Sequence, residues 1–524
     1  MQFIQLQNQL SMLVDNARNI ICRHIINTSL FNLIYMDFKQ LVTQIRRSFS
    51  LIAMAFVLIS PAVNAQTGPV PVGPVPNARQ IEWYHREIIA FFHFGMNTFA
   101  NVNEGDGTAS PQLFNPTALN CNQWTSVLKG AGITTAIFVA KHADGFCNWP
   151  TAHTNYSVKN SPWKDGKGDV VREFTEACKA AGIKAAIYLG PHDRHDSRYG
   201  TPDYSDYYAN QLSELLRNYG LIWEIWWDGA GADQITSTFY DRWADTVRKL
   251  QPNCVVFGTK NSYRYADCRW MGNESGLSGD PCWSTINPVS IKEEAAHITQ
   301  LNHGEVDGTA YVPAEVDVSI RPSWFYHEEE DAHVKNVTAL WDLYFNSVGH
   351  NSVLLLNFPP DKRGLIPAID SVRADSLRRL IDGTFKNNLA AGATIKSLHP
   401  RGGKYKPVNM VDNNESTYYA TSDQATTDTI TFSLGKKKIF DVLMLQEVIE
   451  LGHRTTGWSV DYSSDGKNWT PIPEAAGKQS IGYKWLVKFK PVTASKVRLK
   501  VISGKACLAI HTFGIYKEQM ATPD

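Results

Sequence analysis

Thr134-Thr135-Ala136-Ile137-Phe138-Val139-Ala140, followed without a break by Lys141-His142-Ala143-Asp144-Gly145, is the stretch on which the fold turns. An apolar run of this length with no polar alternation is a strand covered on both faces, as in a parallel sheet flanked by helices. It ends abruptly in an ammonium, an imidazole and a carboxylate. The carboxyl ends of such strands are where α/β proteins place their ligands.

The same pattern repeats on either side. Short apolar runs predict strands at Ile88–Phe94, Lys184–Leu189, Trp223–Trp227, Cys254–Gly258, Cys268–Met271, Thr309–Val312 and Ser352–Leu356. Helical periodicity falls between or after most of them, at Cys121–Lys129, Asp169–Ala181, Asp206–Asn218, Ser237–Leu250, Ala332–Ser347 and Asp370–Ile381. Alternating strands and helices predict an α/β fold, a (β/α)8-type barrel. A doubly wound open sheet is the alternative, but no Gly-x-Gly-x-x-Gly follows the first strand. Beyond the barrel the helical period disappears. Thr429–Leu434, Trp458–Tyr462 and Lys496–Val501 alternate, and Ser464-Asp465-Gly466-Lys467-Asn468 has the composition of a hairpin turn. An all-β sandwich of the jelly-roll kind is expected there.

Four segments follow from this reading: a leader and signal peptide over 1–65, a Pro/Gly-rich linker over 66–84, the barrel over 85–386 and the β-sandwich over 387–524. In the first of these, Arg46-Arg47 precede the apolar run Leu51–Ile59 and the small-residue segment Ser60-Pro61-Ala62-Val63-Asn64-Ala65. That is the layout of a signal peptide, with Met36 as a candidate true start. It implies export to the periplasm of a Gram-negative bacterium, or secretion, with no membrane anchor in the mature chain. The formal charge is zero, and removing 1–65 leaves 46 basic and 49 acidic residues. Nucleic acid and other polyanions are therefore not expected partners. Fifteen tryptophans suit a protein that stacks on flat apolar faces, although indoles are also ordinary core material. The eight cysteines are scattered, with no Cys-x-x-Cys pair, and an oxidising compartment would allow one disulfide among them.

The expected strand ends carry the chemistry. The first runs into His93, the second into Lys141-His142-Ala143-Asp144 with Trp149 beyond, and the third reaches Tyr188 and His192. The fourth closes as Trp226-Trp227-Asp228-Gly229, and the sixth as Trp270-Met271-Gly272-Asn273-Glu274. The seventh leads to Glu315, Asp317, Arg321 and Trp324. Carboxylates, imidazoles and a guanidinium interleaved with Trp and Tyr make a lining suited to a polyhydroxylated ring. Two carboxylates are what glycoside hydrolysis requires, and Asp228 and Glu274 are the natural pair, with Glu315 as the rival to Glu274. A zinc site lacks a His-x-His pair or a His-Glu-x-x-His helix.

These motifs also carry a resemblance. Ala140-Lys141-His142-x-Asp144-Gly145-Phe146-Cys147, Ser157-Val158-Lys159-Asn160-Ser161-Pro162-Trp163 and Trp226-Trp227-Asp228-Gly229 resemble the α-L-fucosidases of glycoside hydrolase family 29. So do Trp270-x-Gly272-Asn273-Glu274, Ser319-Ile320-Arg321-Pro322-x-Trp324-Phe325-Tyr326-His327 and Leu354-Leu355-Leu356-Asn357-x-Pro359-Pro360-Asp361. The likeness is to the bacterial branch that acts on α-1,3/1,4-linked fucose in Lewis-type structures. It implies a retaining exo-fucosidase that needs no cofactor, with Asp228 as nucleophile and Glu274 as acid/base. It also implies a fucose pocket lined by His93, His142 and Tyr188, with Arg321 and Trp324 in a pocket-side loop; Trp149 and Trp227 are counted with them. Asp228 is expected to be exposed and ionised, and Glu274 partly buried among Trp270 and Trp283. Ala143, His192 and the loop Asn103–Gly107 depart from the family pattern, where a His, a Trp and a Trp are usual. A fucosylated-glycan-binding protein on a degenerate barrel, or a retaining glycosidase for another sugar such as galactose, are the competing readings.

The C-terminal segment resembles discoidin-like carbohydrate-binding modules through Val411-Asp412-Asn413-Asn414-Glu415-Ser416-Thr417-Tyr418-Tyr419 and Trp458–Gly466. Asp412 and Glu415 are candidate ligands of a structural calcium there.

Overall fold

A computed structural model describes residues 67–289 and 298–519. The expected signal peptide lies outside the described residues. Eight parallel strands close into a barrel in chain order: Ile88–Phe92, Thr135–Lys141, Lys184–Leu189, Glu224–Trp226, Val255–Gly258, Cys268–Trp270, Ala314–Ser319 and Val353–Asn357. Closure is made by the first and last, with Ile88 opposite Leu354 and Phe91 opposite Asn357.

Alternation of side chains sorts each strand into two cores. Phe91, Val139, Tyr188, Trp226 and Phe257 pack together inside the barrel. Their neighbours Phe92, Phe138, Leu189, Trp227 and Val256 point outward and are buried beneath the helices. The helix Val170–Ala181 shows why the surrounding layer forms where it does. Asp169 caps it by accepting from the Arg172 N–H at 2.9 Å, and Gly182 ends it in the left-handed conformation at φ 71°.

The seventh barrel strand is not Thr309–Val312. Ala310–Tyr311 instead pair antiparallel with Thr285–Ile286 as a separate two-stranded sheet, and Ala314–Ser319 enter the barrel. Glu315 and Asp317 disguise this strand, because carboxylates are poor strand formers when no interior partner is anticipated. The helix expected over Ala332–Ser347 begins at Val337, capped by Asn336 and preceded by a 3-10 turn, Glu328–His333. Part of the supposed linker is also helical. Ala78–Tyr84 starts from an Asn77/Gln80 capping box and buries Trp83 and Tyr84 under the barrel.

The C-terminal domain is a seven-stranded antiparallel network built on two long strands, Asp428–Glu447 and Trp485–Gly504. Their pairing shifts register between Ser433 and Lys438 and again between Phe440 and Val442. These breaks let one network wrap both sides of a core in which Phe432 stacks on Phe513 at 3.8 Å. The expected turn at Ser464–Asn468 is held by Asp465, which accepts from the Lys467 and Asn468 N–H groups at 2.8 Å each. The domain packs on the barrel: Trp485 stacks on His350 at 4.6 Å, and Glu87 meets Lys484 and Tyr483. The seven described cysteines are buried and free. Among the described residues no helix is long and apolar enough to cross a membrane.

Candidate active site

The carboxyl ends of the strands surround a cavity of about 280 Å3, the size of one monosaccharide with room to spare. Asp228 lies two residues past the fourth strand, where the chain turns over Gly229. One of its oxygens accepts from the Tyr188 hydroxyl at 2.8 Å and the other from the Ala230 N–H at 2.7 Å. Both oxygens are thus held in place before any substrate arrives. The side chain is half-buried rather than exposed. Burial pushes its pKa up, the two hydrogen bonds oppose this, and the charges of Glu274 and Glu104 add to the rise.

Glu274 faces the same cavity from beyond the sixth strand. Gly272, at φ 91°, turns the chain, and the Asn273 side chain closes the loop by accepting from the Ser275 N–H at 3.0 Å and donating to the Leu277 carbonyl at 3.0 Å. The glutamate at the tip is exposed at the cavity rim, and the Trp324 indole N–H donates to it at 3.2 Å. Trp270 does line the cavity. Trp283, expected beside it, instead packs its ring against His453 of the C-terminal domain at 5.3 Å.

His93, His142 and Tyr188 line the cavity as expected, and one asparagine settles the chemistry of the first. Asn357 donates to the Trp324 carbonyl at 2.8 Å, and a carbonyl can only accept, so the amide oxygen faces His93. That oxygen accepts from His93 Nδ1 at 2.9 Å, leaving Nε2 as an acceptor for a sugar hydroxyl. Burial, reinforced by His142, holds His93 well below the usual histidine range, so the ring is neutral. His142, stacked on Tyr188 at 5.8 Å, is pushed down to about 4 by burial. Trp324 is pinned from two sides, by Asn357 and by Asn103 Oδ1, which accepts from its backbone N–H at 3.0 Å.

Three expected contacts are not in the cavity. Trp227 points outward into the helix-covered core, because neighbouring residues of a strand face opposite ways; Trp226 takes the inward place. Trp149 is buried and donates to Glu214 at 3.0 Å, away from the site. Arg321 is a clamp: its guanidinium forks onto Asp370 with two bonds of 2.9 and 2.8 Å and reaches Asp331 at 2.8 Å. It ties the loop bearing Trp324 to the last barrel helix, Ala368–Phe385.

Glu315 is not available as an acid/base. It lies beneath the cavity, fully buried, with its oxygens accepting from Trp226 Nε1 at 2.8 Å and Trp83 Nε1 at 3.3 Å. Glu224 and Cys268 complete a buried group whose ligand atoms fall within 4.8 Å of one another. The indole N–H groups already occupy Glu315, while burial and the charge of Glu315 drive the Glu224 pKa far upward. Burial raises Glu315 as well, to about 7, so this donor set suits a pair of carboxyls that burial keeps from ionising together better than a metal ion.

Residues given no role in the expected pocket also line the cavity: Trp226 and Asp317 from the strand ends, Asn103 and Glu104 from the departing loop, and Thr259, Lys260 and Arg194. The period of two counted from Asp228 would have separated Trp226 from Trp227. Asn103 and Glu104 carry no such signal, because they arrive on a loop fixed by Arg194, which bonds Glu104 at 2.7 Å. The departures Ala143 and His192 both touch the cavity. In the C-terminal domain Asp412 and Glu415 are exposed, and Asp412 accepts from the Asn414 N–H at 3.0 Å and the Thr417 hydroxyl at 2.7 Å.

Comparison with known proteins agrees with this architecture. The profile of the Alpha-L-fucosidase family matches residues 75–381, and that of the F5/8 type C domain matches residues 393–512. The chain is 35% identical over 481 residues to Alpha-L-fucosidase 1 of Arabidopsis thaliana, covering 90% of this chain and 93% of that one. A structure from Bacteroides thetaiotaomicron, provisionally assigned as an alpha-L-fucosidase, is 60% identical, with a TM-score of 0.86 over 87% of this chain and 100% of that one. A Ruminococcus gnavus GH29 fucosidase solved in complex with fucose is 31% identical, with a TM-score of 0.78 over 88% of this chain and 98% of that one. With a barrel matched over most of its length and paired carboxylates at its mouth, the chain belongs to the alpha-L-fucosidase family of glycoside hydrolases and carries a C-terminal F5/8 type C domain.

Proposed function

We propose that this fucosidase removes terminal α-1,3/1,4-linked fucose from Lewis-type glycans by a retaining double displacement, with Asp228 as nucleophile and Glu274 as acid/base. The observation that carries the reading is the unequal setting of the two carboxyls around one cavity. Asp228 is held at depth by Tyr188 and Ala230, as an attacking group must be, whereas Glu274 stands at the rim, where a leaving group departs.

In the first step an Asp228 oxygen bonds to the anomeric carbon while the glycosidic C–O bond breaks, and Glu274 passes its proton to the departing oxygen. In the second, Glu274 takes a proton from water, whose oxygen displaces Asp228 and restores both carboxyls. His93 Nε2 accepts from a sugar hydroxyl, and Trp226 and Trp324 supply the faces for the apolar side of the ring. The linkage preference is supported by the likeness of the sequence to the branch that acts on α-1,3/1,4-linked fucose. The test is to follow release of fucose from Lewis-type, 2′-linked and 6-linked fucosides by NMR. The α-anomer is expected first, and from Lewis-type substrates; initial β-fucose or a preference for 2′- or 6-linked fucosides would overturn the reading. A preference for another sugar such as galactose is the second reading, motivated by Ala143 and His192 in the cavity wall. Aryl galactosides beside aryl fucosides separate the two.

Two further parts of the reading rest on sequence. We propose export through the 1–65 segment, tested by sequencing the N-terminus of the mature protein. We also propose a structural calcium on the turn bearing Asp412 and Glu415, supported by its exposed oxygen donors. A fall in melting temperature with EDTA, restored by calcium, is the expected result.

A further inference from the structure

Two cavity carboxyls have no task in the two-step chemistry: Glu104, which is paired with Arg194, and Asp317, for which no ion pair is found among the described residues. Asp317 is on the seventh strand, one pleat above Glu315, and it is almost fully buried yet lines the cavity with Asp228 and Glu274. Among the described residues, the one side chain that hydrogen-bonds it is Trp270, whose indole N–H reaches Oδ1 at 3.1 Å. Two neighbours on the same strand have unambiguous structural partners. Glu315 is taken up by Trp83 and Trp226, and Ser319 by Asn357 at 2.9 Å. Asp317 alone is left with acceptor or donor capacity directed at the cavity.

We propose that Asp317 is a third functional carboxyl, which holds a hydroxyl of the bound fucosyl unit from the seventh strand while Trp270 fixes its other oxygen. The proposal rests on Asp228 and Glu274 being the reacting pair. The charges around Asp317 decide how it binds. Burial, then Glu274, Glu315 and Asp228, all raise its pKa well above the ordinary carboxylate range. The nearby imidazoles of His93 and His142 are neutral, and the two cations of the cavity wall are spoken for, Arg194 by Glu104 and Lys260 by Asp233. His192, also in the wall, is lowered by burial, so among the described residues of the cavity wall no cation is paired with Asp317. A carboxyl kept protonated here donates its O–H to the sugar, and it spares the site a third negative charge beside a nucleophile that must stay ionised. Its neighbourhood also explains why a carboxyl is tolerated at such depth.

The test is a substrate–enzyme cycle. Asp317→Ala and Asp317→Asn are assayed on an aryl α-L-fucoside and its 2-, 3- and 4-deoxy analogues, with melting temperatures measured for both variants. Asp317→Ala is expected to lose about 30-fold in kcat/KM on the full substrate, the size of one hydrogen bond in a closed site. It is expected to lose little further on the one deoxy analogue that lacks the hydroxyl it holds. Asp317→Asn, which keeps a donor and an acceptor but cannot ionise, is expected to retain most activity below neutral pH and to decline less at alkaline pH than the unmodified enzyme. Equal losses for every deoxy analogue in the variant and the unmodified enzyme would overturn the proposal. So would an Asn variant as inactive as the Ala variant at unchanged melting temperature, since that requires a charged Asp317. Trapping with a fluorinated fucosyl fluoride keeps the two readings apart. Label on Asp228 in both variants preserves the reacting pair whatever Asp317 does, and label elsewhere removes that pair instead.

Discussion

Glu224 and Glu315 sit deeper in the barrel than Asp228 and Asp317, brought in by the same two strands, yet the two depths have opposite characters. The lower pair is sealed: Glu315 receives two indole N–H groups, and Glu224 is fully buried against it. The upper carboxyls face a cavity, one fixed by a tyrosine and a backbone N–H, another tethered lightly at the rim by Trp324. Residue type is therefore not what makes a carboxylate reactive in this molecule. Depth along the strand decides whether protein donors or a substrate will satisfy it. The layers are also mechanically joined. Trp226 bonds Glu315 below and stacks on Tyr188 at 5.3 Å, and Tyr188 holds Asp228.

The contrast is broken most directly by substitutions in the upper layer. Asp228→Ala is expected to lower kcat by at least about 10⁴-fold on aryl and natural fucosides alike; retention of activity would remove the nucleophile from this position. Glu274→Gln is expected to lose about 10³-fold on a Lewis trisaccharide and far less on an aryl fucoside whose leaving group needs no proton. Equal losses on both substrates would argue against proton donation by Glu274.

Tyr188→Phe sharpens the link between layers. Burial raises the pKa of Asp228 and the tyrosine hydroxyl lowers it, so removing that hydroxyl raises it further. Because the nucleophile must be ionised, the acidic limb of kcat/KM should move to higher pH, with about a tenfold loss below it. A profile that does not move would mean the hydrogen bond has no influence on the charge.

The smallest effects on chemistry are expected in the lower layer, where stability responds instead. Glu315→Gln places an amide where two indoles donate and is expected to cost about 1–3 kcal/mol, seen in denaturant melts, with kcat little changed. A loss of kcat comparable to that of Glu274→Gln, at unchanged stability, would restore Glu315 as a candidate acid. Glu224 should behave differently. Its pKa is raised on folding, so the folded state keeps a proton that the unfolded chain gives up, and the stability this group contributes falls as pH rises. Glu224→Gln mimics the neutral form, so the variant should be nearly neutral in acid and gain on the unmodified protein in alkali.

The chain's own order of residues determined a good deal. Runs such as Thr134–Ala140 could only be strands buried on both faces, and the alternation with amphipathic helices left the barrel as the economical solution. The coincidence of polar groups at the strand ends, with Asp228 and Glu274 among them, was visible because barrel active sites are always assembled there. Seven of the eight strands lie within a residue or two of where their apolar runs put them. The eighth escaped because Glu315 and Asp317 look foreign to a strand until the barrel interior supplies Trp83, Trp226 and Trp270 as partners. Those partners come from the helix before the barrel and from the fourth and sixth strands, so no local reading could pair them. The same holds for Arg321, which the motif placed beside the sugar and which Asp370, 49 positions away, holds in the wall. Local sequence specifies which groups a strand end can offer, because backbone periodicity and burial are local. Whether each group is spent on the protein or kept for the substrate depends on which distant donor closes in around it, and that is settled only when the chain is folded.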